Sequence, residues 1–322
     1  MLTPLPAIQS YNRCFWFKRF NCFEFHRQRL GYNFMLSAVY NVDMISVIVP
    51  VYNTAAYLER VIGALEAQDF PKDGYELIFV DNGSSDGSAD ILQRHPEIRV
   101  LQELERGSYS ARNQGVKQAR GEILAFSDSD CYPAPNWLEA IDKAFRDSEV
   151  QVLLGPRVPP AASRAMRLVA EYENKKVELV CASNDPLVYF GHTNNMAVRK
   201  TAMDRFGPFI QRARGSDTIF VRAVVDALSC KAAAYCPEMV VQHAELESLT
   251  VYYSKVRTYA RSRQAYRHIT QVRPLSQQER LRAFWEATKQ RPFVDSVQLF
   301  ALLVLGSFVW WHGGLNFSSS DS

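Results

Sequence analysis

A chain of 322 residues with a formal net charge of +3 can bury one large core, or two smaller ones, without covalent staples. Neither that balance nor the composition, 12% aromatic and 47% apolar, points to a nucleic-acid partner or a disordered chain. The six cysteines, Cys14, Cys22, Cys131, Cys181, Cys230 and Cys236, form no Cys-x-x-Cys pair, which argues against a zinc ribbon or thioredoxin-like site and for free thiols in a reducing compartment.

Residues 1–43 read as an aromatic, basic N-terminal extension. It lacks the apolar stretch of a secretory signal, and its rings and cations over 11–34 suit a bilayer surface. Met44 could itself be a start, so whether the extension is native stays open. A buried strand is expected over 45–49, stopped at Pro50, followed by a helix capped by Asn53 or Thr54 with apolar residues Leu58, Val61, Ile62 and Leu65 at helical spacing. Strands over 76–80, 98–101 and 123–126 alternate with helices over 88–94 and 109–119. This alternation predicts an α/β fold, a single Rossmann-like, mostly parallel sheet with helices on both faces, and a ligand site beyond the carboxyl ends of its strands.

Residues 44–130 would form a nucleotide-binding half and 131–245 the far wall of the cleft, with helices from Pro135 to about 145, over 166–180 and over 217–228. A basic helical extension over 246–292 follows, carrying Arg257, Arg261, Arg263, Arg267, Arg273, Arg280, Arg282 and Arg291. Such a flank fits either a surface for anionic lipid or a solvated helical pair. Residues 293–315 are apolar for close to the ~20 residues a spanning helix needs, which suits a spanning, interfacial or buried terminal helix. Residues 316–322 read as a disordered tail.

The polar clusters fall at the strand ends. Asp128 and Asp130 follow the fourth strand with one residue between them, and paired carboxylates there are hard ligands suited to Mg2+ or Mn2+ and so to a diphosphate. A nucleoside diphosphate is a leaving group only when its developing charge is neutralised. Asp81 ends the second strand, where it can accept hydrogen bonds from a base or ribose, while Asp86 serves a turn or helix cap as readily as a ligand. Arg112, near the start of the third helix, could meet phosphate or pair with a strand-end aspartate. Asp217, at a helix start, is the candidate general base, with helix capping as the plainer alternative. His243 and His192 are open between a place facing the site and a hydrogen-bonded core position. No G-x-G-x-x-G or Walker A loop follows the first strand, which argues against NAD and ATP chemistry.

In order along the chain, "SVIVPVYN", "ELIFVDNGSSDGS", "GSYSARNQG", "GEILAFSDSDC" with "PNWL", "NNMAVRK" and "GSDTIFVR" resemble the family 2 glycosyltransferases over 45 to about 225. The resemblance implies a GT-A fold and an inverting transfer from a UDP-, GDP- or dTDP-sugar with Mn2+ or Mg2+. It implies Pro50, Tyr52, Asn53 and Asp81 at the nucleotide, Arg112 and Asp128 along ribose and diphosphate, Asp130 as principal metal ligand with Asp128 and His243, and Asp217 as base. His192, Asn194, Asn195 and Trp137 would mark the acceptor side. The partners implied are a nucleotide-diphosphate sugar and a glycan or lipid-linked acceptor at the cytoplasmic face of the membrane, with a homo-oligomer also open. Ser216 departs from the acidic or glycine neighbour usual before the base, and the absence of a "QxxRW" stretch points away from processive synthases. The rivals are a non-catalytic nucleotide-binding subunit and a nucleotidyltransferase, though "PVYNTAAYLE" lacks the glycine-rich, lysine-containing loop the latter needs.

Overall fold

In a computed structural model, residues 43–161, 163–212, 214–266 and 269–315 are described. The expectations for the N-terminal extension up to residue 42 and for the tail over 316–322 lie outside them. The first half is built from β1 (Ile45–Val51), α1 (Ala55–Glu66), β2 (Tyr75–Asp81), α2 (Ser88–Gln93), β3 (Arg99–Gln102), α3 (Ser108–Gln118) and β4 (Ile123–Ser127). The chain continues through β5 (Cys131–Pro133), α4 (Trp137–Phe145), β6 (Val152–Leu154), β7 (Arg157–Val158), α5 (Arg164–Cys181), β8 (Asn195–Arg199), α6 (Lys200–Phe206) and α7 (Ser216–Ala227). Then come β9 (Ala233–Tyr235), β10 (Val241–His243), α8 (Leu249–Tyr266), α9 (Gln277–Thr288) and α10 (Phe293–Leu315).

Seven strands form one sheet in the order β3-β2-β1-β4-β8-β6-β9. β3, β2, β1 and β4 run parallel, and β8 is antiparallel to both β4 and β6. The near-continuous apolar strands have a physical reason. Val47, Val49 and Val51 of β1 pack on one face with Leu58, Val61, Ile62 and Leu65 of α1, whereas Ile48 turns to the other face with Ile78, Val80, Leu124 and Phe126. β1 continues through Pro50 to Val51 instead of stopping there. Val51 turns its carbonyl to Asn82 on the β2 side, so Pro50 turns its missing N–H toward β4, where pairing has already ended at Phe126.

Three short strands, β5-β10-β7, make a second sheet that strand periodicity is too brief to announce. β10 lies antiparallel to β5, with His243 opposite Cys131. Cys131, Cys181, Cys230 and Cys236, the described cysteines, are all free thiols. The basic extension forms the separate helices α8 and α9, and Arg273 between them is tied to Asp185 at 2.6 Å and to Glu279 at 2.8 Å.

Candidate active site

The strand order reverses between β1 and β4, because the chain passes outward through β2 and β3 before returning to the other side of β1. A crevice at such a point opens beyond the carboxyl ends of the strands. Pro50 and Asp81 lie in the last residues of β1 and β2, and Tyr52, Asn53, Asp128 and Asp130 follow the ends of β1 and β4.

On the nucleotide side, Asp81 is buried and its Oδ1 accepts from the Ser84 amide at 3.1 Å. Asn53 sits in the left-handed region at φ 52°, and its Oδ1 accepts from the Ser85 amide at 2.8 Å, so the two loops are tied together. Tyr52 is exposed, with the Arg106 guanidinium 4.5 Å from its ring centroid. The cap of α1 comes from neither Asn53 nor Thr54. Asp86 accepts from the Ala55 amide at 2.9 Å, and its other oxygen takes the Ser88 amide and hydroxyl, so one carboxylate closes the start of two helices. Asn82, which sequence reasoning passed over, donates to the Glu103 and Glu105 carbonyls at 2.8 Å each and accepts from the Gly107 amide at 2.8 Å. It pins the loop leading into α3. Its only signal was its position directly after a strand-end aspartate.

α3 carries two side chains toward the centre. Arg112, 3% exposed, makes a close ion pair with Asp128 and a hydrogen bond to the Ser108 carbonyl at 3.2 Å, while its Nε has no partner. One turn earlier, Tyr109 lies near enough to Asp217 for each to perturb the other's ionisation. Burial raises the Asp217 pKa above the usual carboxylate range, although the Thr218 amide, Tyr109 and Arg112 all favour its ionised form. Gly215 caps α7 at φ 88°, a conformation side chains rarely adopt, and so sets the turn that delivers Asp217. Ser216 is buried with its hydroxyl unpaired. Phe209 fixes this end of α7 by packing against Tyr109, Phe126 and Phe220 with centroid distances of 5.4 to 5.6 Å, and its backbone exchanges two hydrogen bonds with Asn113 of α3.

Asp130 and His243 meet across the small sheet, Oδ2 to Nε2 at 3.2 Å. Burial opposes ionisation of Asp130, yet the His243 hydrogen bond and the charges of His243 and Lys255 leave its pKa below the ordinary range. Ligand atoms of Asp130, Cys131 and His243 lie within 4.8 Å of one another, whereas Asp128 is engaged by Arg112 and stands outside that cluster. Carboxylate and imidazole together suit Mn2+, and Asp130 with His243 fit a divalent cation. Lys255 enters from α8. Its pKa is lowered by burial, against the opposing pull of Asp130 and Asp128, and nothing in the basic extension marked it out among its neighbours.

The residues expected on the acceptor side divide. Trp137 and Asn195 are fully buried and paired: the indole Nε1 donates to Asn195 Oδ1 at 2.9 Å, and Asn195 Nδ2 donates to the Met239 and Pro156 carbonyls at 2.7 and 2.9 Å. They tie α4 to β8 and to the residues just ahead of β7 and β10, and are closed to an acceptor. His192 is also buried, 3.3 Å from the Gly155 carbonyl, with its pKa held well below the usual histidine value by burial and by Arg157. Asn194 alone of the four is half-buried, and its Oδ1 has no partner.

Residues 46–207, half of the chain, match the sequence profile described as Glycosyl transferase family 2. The chain belongs to that family. Among relatives of this family 2 member, the glycosyltransferase AglE of Haloferax volcanii is 33% identical over 195 residues, 58% of this chain and 62% of AglE. The glycosyltransferase GlyG of Streptococcus pneumoniae is 33% identical over 118 residues, 35% of this chain and 38% of GlyG. The chain thus spans less than two thirds of these relatives. The mannosyltransferase PcManGT of Pyrobaculum calidifontis, solved with GDP-Man and Mn2+, superposes with a TM-score of 0.55 at 18% identity, covering 91% of this chain and 96% of that one. Its likeness identifies the fold, which is GT-A.

Proposed function

We propose that this family 2 protein transfers one sugar at a time from a UDP-, GDP- or dTDP-sugar to a glycan or lipid-linked acceptor, with inversion at the anomeric carbon and help from Mn2+ or Mg2+. The observation that carries this reading is the placement of α3, whose Arg112 ion-pairs with Asp128 and whose Tyr109, one turn earlier, lies beside Asp217. Two side chains one turn apart on one rigid helix, Tyr109 beside the proposed base and Arg112 toward the diphosphate, suit the two ends of an in-line displacement.

The acceptor hydroxyl oxygen would form the new bond to the anomeric carbon while that carbon's bond to the diphosphate oxygen breaks. The bonding pair leaves with the nucleoside diphosphate, and the hydroxyl proton passes to Asp217. Its raised pKa improves it as a proton acceptor at the cost of a narrower pH range in which it is ionised. Asp81 and the loop tied to Asn53 would hold the nucleoside, and Arg112 and Lys255 would face the diphosphate. Asp130 and His243 would hold the cation, which neutralises charge developing on the leaving group. A donor of this class is consistent with the GDP-Man and Mn2+ held by PcManGT.

We place the protein at the cytoplasmic face of the membrane, as a peripheral or single-pass enzyme. Within Phe293–His312 an 18-residue stretch has a mean hydropathy of 1.8 with 11% of it buried, which supports this placement. Donor turnover across UDP-, GDP- and dTDP-sugars with Mn2+, read for the intact protein and for Asp217→Asn, tests the reaction. Loss of turnover with nucleotide still bound is expected; full turnover in the variant would remove Asp217 from the role. If no nucleoside diphosphate bound in the presence of Mn2+, the catalytic reading would fall; tight nucleotide binding by the intact protein with no donor turned over would favour the rival non-catalytic nucleotide-binding subunit.

A further inference from the structure

α10 is 23 residues long, about 34 Å at the helical rise, and so has the reach to cross a bilayer. Its contacts favour another posture. Asp295 is buried and ion-paired with Arg164 at the start of α5, Leu299 is fully buried, Leu302 and Leu303 pack on the same small core, and Gly306 lies against Tyr253 of α8. The Tyr253 hydroxyl donates to the Leu302 carbonyl at 2.9 Å. These positions, 295, 299, 302 and 306, follow one face of the helix at helical spacing. They fasten it lengthwise to the rest of the protein through α5 and α8, the latter also carrying Lys255.

The opposite face is apolar and open. Val297, Phe300, Val304, Phe308 and Trp311 are between 39% and 65% exposed, and Phe293 is 82% exposed. α9 adds Leu281 and Trp285, 65% and 63% exposed, although a helix of that composition is too short and polar to enter a bilayer by itself. Exposed Arg280, Arg282 and Arg291 lie on α9 and the turn into α10. The acids of α9 are already answered, Glu279 by Arg273 and Glu286 by Lys289 at 2.6 Å. The result is an apolar surface with a cationic margin, the pattern that lies in an anionic membrane interface.

We propose that α9 and α10 together form one in-plane docking surface for an anionic bilayer, with α10 lying along the membrane and its carboxyl end remaining on the same side as the catalytic domain. This rests on the membrane placement above and narrows it to a peripheral one. Crossing would require α10 to leave Tyr253 and Leu299's pocket, and would leave Leu281 and Trp285 without a role.

The test uses the full chain with an epitope appended after Ser322 and sealed vesicles of phosphatidylcholine, alone or mixed with phosphatidylglycerol. Flotation with the anionic vesicles, weakened by salt, is expected, together with digestion of the epitope by external protease without detergent. Leu281→Asp with Trp285→Asp should weaken flotation about tenfold or more, by removing two apolar contacts and adding two like charges. Thermal melting and nucleotide binding should stay unchanged. An epitope protected until detergent is added, or a double variant that floats like the parent, would overturn the in-plane surface while leaving the membrane placement standing. No flotation of the parent would overturn both, with donor turnover still reporting independently on the reaction.

Discussion

Asp217 owes its character to three neighbours and to burial, which makes its behaviour testable by single substitutions. Burial raises its pKa, so the acid limb of kcat/KM is expected above the ordinary aspartate range, with activity rising as the group loses its proton. Tyr109 favours the ionised carboxylate, so Tyr109→Phe should move that limb to higher pH, measured as a pH profile; a limb that stays in place or moves lower would contradict the contact. Asp217→Asn should lower turnover by about 10²- to 10⁴-fold, the usual share of a general base, with nucleotide affinity kept. Asn195→Ala should behave quite differently. It strands the Trp137 indole and two carbonyls in the core, so a loss of roughly 1–3 kcal/mol in a denaturation curve is expected, with nucleotide contacts untouched.

Elements explain why some residues were legible in the sequence and others were not. Asp81, Asp128 and Asp130 stood out because each follows an apolar run that could only be a buried strand, and strand ends of a parallel sheet are where ligands bind. Trp137 and Asn195 stood near the same motifs, yet nothing in their spacing shows that β8 is antiparallel to β4 and turns Asn195 into the core. His243 reaches Asp130 only through the register of three-residue strands, and periodicity over three residues decides nothing. The cap of α1 was misplaced for a similar reason, since Asp86 arrives from the neighbouring βα loop. Asp86→Ala should therefore loosen two helix starts at once, at about 1 kcal/mol for the loss of a capping side chain, read as a lower melting temperature. The link ahead of α9 has its own pH signature. Arg273 holds the Glu279 pKa down to about 2, so that contribution is complete above the ordinary glutamate value and fades as pH falls toward about 2. Arg273→Ala should remove it, seen as a smaller stability difference between neutral and acidic melts.

For the whole molecule, the alternation of strands and helices made the sheet foreseeable, while the way the second half closes on the first depends on contacts far apart in sequence. Phe209 joins β4, α3 and α7, and the Trp137–Asn195 pair joins α4 to β8. The Phe209 cluster holds α7, which carries Asp217, against α3 and β4. α8 then brings Lys255 near the two aspartates while its Tyr253 holds α10, so the surface proposed for the membrane and the cleft proposed for the donor share one helix. The measurement that bears most directly on this account is sugar transfer from a UDP-, GDP- and dTDP-sugar panel with Mn2+, run side by side on the intact protein, Asp217→Asn and Asp130→Asn. One donor turned over with inverted product, transfer lowered by about 10²- to 10⁴-fold in Asp217→Asn with nucleotide still bound, and weakened metal dependence in Asp130→Asn are expected; undiminished transfer in both variants would contradict it.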